Sequence, residues 1–157
     1  MRVLALLVCL SVSSPMARGD SELPEIEQMM PLLADLAARG SYGVRDTEAA
    51  AFIVRAGDGQ LECLLWPSTG QFQRTSINAT IPTGLVAIAH THPRCCKQVS
   101  QHDRREAVRL SVPVVAISMG TLSAAVQTGE LVRPQSGISW RSHQDPARRC
   151  TEPDSNE

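Results

Sequence analysis

Aromatic side chains are scarce in this chain: two Trp, one Tyr and two Phe among 157 residues. A core of stacked rings is therefore excluded. Its 43% hydrophobic content can still build a core, made of Leu, Val, Ile and Ala. An excess of charge is lacking too. With 15 basic and 16 acidic side chains the formal net charge is −1. No large basic patch stands out, so a nucleic-acid partner is not implied. The Arg104-Arg105 pair reads as a solvated helix face. No internal repeat is visible, which argues against a solenoid or propeller. Length alone implies one domain.

Long hydrophobic runs are also missing. Val3 to Val12 is an apolar run of ten residues, well short of the roughly 20 that cross a bilayer. Preceded by Arg2 and followed by Ala17-Arg18-Gly19, it reads as a secretory signal peptide over residues 1–19, cleaved after Gly19. No stable membrane span is then expected. Losing Arg2 and Arg18 lowers the basic count from 15 to 13 against 16 acidic side chains, a net of −3. Export leaves Cys63, Cys95, Cys96 and Cys150, an even number in an oxidising compartment. Adjacent cysteines rarely bridge each other because their Cβ vectors point apart. Cys95 and Cys96 are therefore expected to reach outward to Cys63 and Cys150. The expected compartment is secreted or periplasmic.

Periodicity gives the elements. Residues 23–39 carry Ile26, Met29, Met30, Leu33, Leu36 and Ala37 at helical spacing, with Pro24 at the first turn and Gly40 at the stop. Pro31 predicts a kink or a break into two short helices. Residues 41–47 read as a polar loop. Ala50 to Ala56 and Leu61 to Trp66 read as a hairpin around Gly57-Asp58-Gly59. After a turn at Pro67 to Gly70, Phe72 to Ile77 is a candidate strand. Leu85 to His90 is a strand, Ser100 to Leu110 a helix, and Val112 to Ser118 a strand. Met119-Gly120 turns the chain into a strand over Thr121 to Gln127, and Leu131 to Trp140 adds an edge strand. The order predicts an α+β fold, a mainly antiparallel sheet flanked by helices. From about Ser142 the composition is polar, and residues 142–157 are expected to be a flexible tail apart from any bridge at Cys150.

The chemistry concentrates in His90-Thr91-His92-Pro93, followed by Ser100 and Asp103. Strand side chains alternate faces, so His90 and His92 point the same way and can meet one metal ion. Asp103, in the first turn of the following helix, is a third donor, and the helix dipole favours a carboxylate there. Two imidazoles and a carboxylate suit zinc and leave a fourth position for water, as in catalytic zinc sites. Ser100-x-x-Asp103 is equally a helix-capping pattern, and the two readings are compatible. His102 is an alternative ligand, but it lies about 100° round the helix from Asp103. A thiolate from Cys95 or Cys96 is a rival donor.

This stretch resembles the JAMM motif of the JAB/MPN metallopeptidases: histidine, Ser or Thr, histidine, seven residues, then S-x-x-D. The resemblance implies a curved, JAB/MPN-like (cytidine deaminase-like) sheet over residues 20–141. It also implies zinc on His90, His92 and Asp103, with Ser100 as oxyanion donor and an upstream glutamate as general base. Glu48 fits that position, 42 residues ahead of His90 and before the first strand, although alanines stand where the family usually has glycine. Glu62, 28 residues ahead and within a hairpin strand, is its competitor. Thr91 points to the opposite face and is structural, and Pro93 ends the strand. The implied activity is zinc-dependent hydrolysis of peptide or isopeptide bonds in a peptide or protein substrate. The alternatives are a non-catalytic JAMM-like scaffold or binding module in an envelope assembly, and a small disulfide-stabilised binding domain.

Overall fold

The computed structural model describes residues 23–44, 48–66, 80–93 and 98–152. The expected signal peptide, the candidate strand Phe72 to Ile77 and the Cys95-Cys96 pair lie outside them. Two helices, α1 (Ile26–Arg39) and α2 (Gln101–Leu110), accompany seven strands: β1 (Ala50–Arg55), β2 (Leu61–Leu65), β3 (Leu85–Thr91), β4 (Val114–Ser118), β5 (Thr121–Ala125), β6 (Leu131–Ser136) and β7 (Cys150–Thr151). One sheet joins them in the order β6-β5-β4-β3-β1-β2-β7. The pairs β1/β2, β1/β3, β4/β5 and β5/β6 are antiparallel. The pairs β3/β4 and β2/β7 are parallel. The fold is thus α+β with a mostly antiparallel sheet, and Leu131–Ser136 is an edge strand as its composition suggested.

Strand alternation gives the sheet two apolar faces. Ala51, Ile53, Ala87, Ala89, Val115, Ile117, Leu122 and Ala124 turn to one side and pack with Met29, Leu32, Leu33 and Leu36 of α1. Phe52, Val54, Ile88, Val114, Ala116 and Ala125 turn to the other and pack with Ala107 of α2. The helices lie on opposite faces. Parallel β3 and β4 need a crossover between them, and α2 is that crossover. It carries the chain from the end of the histidine strand back to the start of β4.

Three expectations need correction. Pro31 does not break α1, which runs unbroken from Ile26 to Arg39. Proline removes one N–H, and the carbonyl it orphans belongs to Glu27, an exposed residue that water can reach. Burial of Leu32, Leu33 and Leu36 outweighs that loss. Second, Cys63 bridges Cys150, with an S–S distance of 2.03 Å and Cα atoms 4.4 Å apart, so neither reaches to Cys95 or Cys96. The two face each other in the parallel register of β2 with β7. Third, the polar tail is not loose up to Glu152. It folds through a 3-10 turn at Trp140–His143 and returns as β7. Trp140 is buried and donates through Nε1 to the Ser118 carbonyl at 3.1 Å. Arg148 donates to the Leu61 carbonyl at 3.0 Å, while Asp35 and Arg39 of α1 hold the Cys150 amide and carbonyl at 3.0 and 2.7 Å. The segment stays polar and exposed over most of its length and is held at its two ends, by Trp140 and by Cys150.

Candidate metal centre

His90 lies near the end of β3 and His92 just beyond it, on the face that α2 covers. The neighbours of His90 across the sheet are Ala50 on β1 and Ala116 on β4. Both are small, which leaves room for two imidazoles. Their rings lie 4.6 Å apart, tilted by 59°. The Nε2 atoms are 2.7 Å apart, and Oδ1 of Asp103 is 3.6 Å from Nε2 of His90. Among the described residues these three side chains form the group whose donor atoms converge, all within 4.8 Å of one another.

Both histidines are buried, at 9% and 8% exposure. Burial pushes the His90 pKa down from 6.5 to about 4, opposed by the nearby Asp103 charge and assisted by His92 and His102. His90 is therefore a neutral imidazole at pH 7, the form that ligates a metal. Its 3.6 Å approach to Asp103 is too long for a hydrogen bond. The donor set fits zinc. Ligand atoms about 2.0–2.1 Å from a tetrahedral ion lie roughly 3.4 Å from each other. The His90–Asp103 spacing of 3.6 Å is close to that value, and the His90–His92 spacing of 2.7 Å is shorter than it.

Asp103 arrives by helix capping. Its Oδ2 accepts from the Ser100 backbone N–H at 2.6 Å, and Ser100 Oγ accepts from the Asp103 N–H at 3.2 Å. This is a complete capping box at the start of α2. One carboxylate oxygen is thus spent on the cap and the other faces His90, so the cap leaves Asp103 an oxygen that could ligate a metal. Ser100 is exposed. As an acceptor in the cap it keeps its O–H for donation. Two further ties fix α2: Val99 N–H donates to buried Ser123 Oγ at 3.0 Å, and Arg104 Nε donates to the Gly129 carbonyl at 2.8 Å.

Glu48 sits two residues before β1. The Thr91 N–H donates to the Ala49 carbonyl, and the Ala49 N–H to Thr91 Oγ1, both at 2.8 Å. Together they tie Ala49 to Thr91, one step beyond the Ala50–His90 pair, and Glu48 is the residue that precedes Ala49 in the chain. Glu62 is exposed and pairs with Val54, four positions along β1 from Ala50. That is about 13 Å along the strand. His102 is exposed on α2 and does not join the converging set. Thr91 is buried on the opposite face, as its alternation implied.

Two supports escaped the sequence reading. Ser123 is a hydroxyl in an apolar strand, and that interruption was its one signal. The other is the approach of Gly40, read only as the helix stop, and Gly43, read within a polar loop, to the end of β3. A Cβ on Gly40 would lie 2.3 Å from Thr91 Oγ1. Gly40 does end α1, and its φ of −78° shows that closeness rather than a left-handed backbone demands glycine.

Comparison of the chain with protein-family models, with curated proteins and with solved structures returned no match. What this centre does is accordingly argued from its own side chains.

Proposed function

We propose that this chain is an exported zinc-dependent hydrolase that cleaves peptide or isopeptide amide bonds, with a JAMM-type site on a JAB/MPN-like fold. The observation that carries the proposal is the convergence of His90, His92 and Asp103 within 4.8 Å, two of them buried. A hydrogen-bonded core histidine needs no second imidazole and carboxylate aimed at the same point. The JAMM-like spacing, and the position of Glu48 next to Ala49, which is hydrogen-bonded to Thr91 between the two histidines, support the catalytic form of the reading. The Cys63–Cys150 bridge and the apolar run at Val3–Val12 support export. No helix among the described residues is long and apolar enough to cross a membrane.

His90, His92 and Asp103 would hold the ion, leaving one position open. Zinc held by these three side chains would supply Lewis acidity to the scissile carbonyl and to the attacking water. Glu48 accepts the proton of the attacking water and delivers it to the departing amine, as general base and then general acid. Ser100, whose oxygen is fixed by the cap, donates its O–H to the oxyanion of the tetrahedral intermediate. Burial of His90 keeps a competing proton off its ligating nitrogen.

The test is Glu48→Gln in the chain lacking residues 1–19. Zinc content is measured by elemental analysis, and cleavage by mass spectrometry on a peptide library that includes lysine isopeptides. The expected result is one zinc per chain in both proteins and cleavage by the parent alone. Zinc bound without cleavage in the parent would favour a binding module instead.

A further inference from the structure

Between α1 and β1 the backbone makes a strap that the proposed chemistry does not use. Ser41, Tyr42 and Gly43 have φ of 53°, 54° and 73°. Two of these are side-chain-bearing residues in the left-handed region, a conformation that persists only where surroundings enforce it. One enforcing contact is with the histidine strand. Gly40 has no room for a Cβ beside Thr91, and a Cβ on Gly43 would lie 2.7 Å from the His92 carbonyl oxygen. The strap therefore lies on the last residues of that strand, where the ladder ends with the His92 N–H donating to the Ile117 carbonyl at 2.7 Å.

The second enforcing contact comes from the C-terminal segment. Gln144 Nε2 donates to the Tyr42 hydroxyl at 3.0 Å, and the Arg141 guanidinium lies 5.2 Å from the centre of its ring. That segment is itself fixed at both ends, by buried Trp140 on the Ser118 carbonyl and by the Cys63–Cys150 bridge. A continuous set of contacts thus runs from the tail through Tyr42 and Gly43 to the backbone of His92.

We propose that Tyr42 is a positioning residue for the metal centre, through which the C-terminal segment 140–150 holds His92 in its ligating place. This rests on the reading of His90, His92 and Asp103 as a metal set. Residues that orient a metal ligand typically change affinity by about 10–100-fold when removed. A role confined to covering the core would lower stability and leave the affinity of the folded protein alone.

The experiment compares the parent with Tyr42→Ala, Tyr42→Phe and the double variant Arg141→Ala/Gln144→Ala. The double variant alters two exposed side chains and serves if Tyr42→Ala does not fold. Zinc affinity is read by chelator competition, and backbone exchange at His92 by hydrogen–deuterium exchange of the metal-free protein. Tyr42→Ala and the double variant should each weaken zinc at least tenfold and speed His92 exchange at least tenfold, with β5 amides unchanged. Tyr42→Phe, which keeps the ring for Arg141, should lose less. Zinc affinity within twofold of the parent in both Tyr42→Ala and the double variant overturns the proposal. A parent that takes up no zinc brings down the metal reading, and His92 exchange then decides alone. Acceleration shows that the tail holds the strand end, and its absence overturns that claim too.

Discussion

Acidifying the metal-free protein from pH 7 to pH 5 should destabilise it by about 2 kcal/mol through His90 alone. In the unfolded chain His90 titrates at its ordinary 6.5, and in the folded protein burial lowers this to about 4. Between those values the unfolded state binds the proton and the folded state does not. Stability therefore rises with pH across the window and is lost as pH falls through it. The loss begins near pH 6.5 and is complete below pH 4, where the limit for the full shift is roughly 3 kcal/mol. Urea denaturation of the parent and of His90→Gln at pH 7 and pH 5 isolates the effect, because other groups titrate in both proteins. The metal-free form is required, since zinc and the proton compete for the same nitrogen. The parent should lose about 2 kcal/mol more than the variant. Parallel losses in the two proteins would refute the claim that His90 is held neutral by burial.

Other perturbations separate support from chemistry. Ser123→Ala strands the Val99 N–H and should cost about 1–3 kcal/mol in denaturant unfolding, with zinc affinity reduced because α2 carries Asp103. Gly40→Ala forces a methyl into Thr91 and should cost about 1–3 kcal/mol by the same assay. Serine at both Cys63 and Cys150 removes a bridge across 87 residues and should cost roughly 2–5 kcal/mol, read as a lower melting temperature. Ser100→Ala should cost about 1 kcal/mol through the lost cap. If Ser100 also serves the oxyanion, it should lower kcat by about 100-fold or more in the peptide assay. A drop in stability with kcat unchanged would leave it a cap alone.

The histidines were legible because strand alternation is a local rule: residues two apart share a face whatever the rest of the chain does. Asp103 was legible for a similar reason, since Ser100 and Asp103 are a helix start written within four residues. Its proposed double role, cap and ligand, rests on a carboxylate having two oxygens, one on the Ser100 N–H and one toward His90. The Cys63–Cys150 bridge was not legible. It depends on a parallel pairing of β2 with a two-residue strand 87 positions away, in a segment whose polar composition points to solvent. Gly40 and Gly43 were hidden because their reason is tertiary, a close approach to Thr91 and to His92, rather than a turn preference. Pro31 misled because its local penalty falls where an exposed carbonyl can be hydrated while the same helix buries its leucines.

The central claim is that His90 and His92, with Asp103, bind one zinc ion. Its most direct test is zinc content of His90→Ala/His92→Ala against the parent, after dialysis into metal-free buffer, with circular dichroism to show that both are folded. The account predicts one zinc per chain in the parent and none retained by the double variant. Zinc retained equally by the two folded proteins would contradict it.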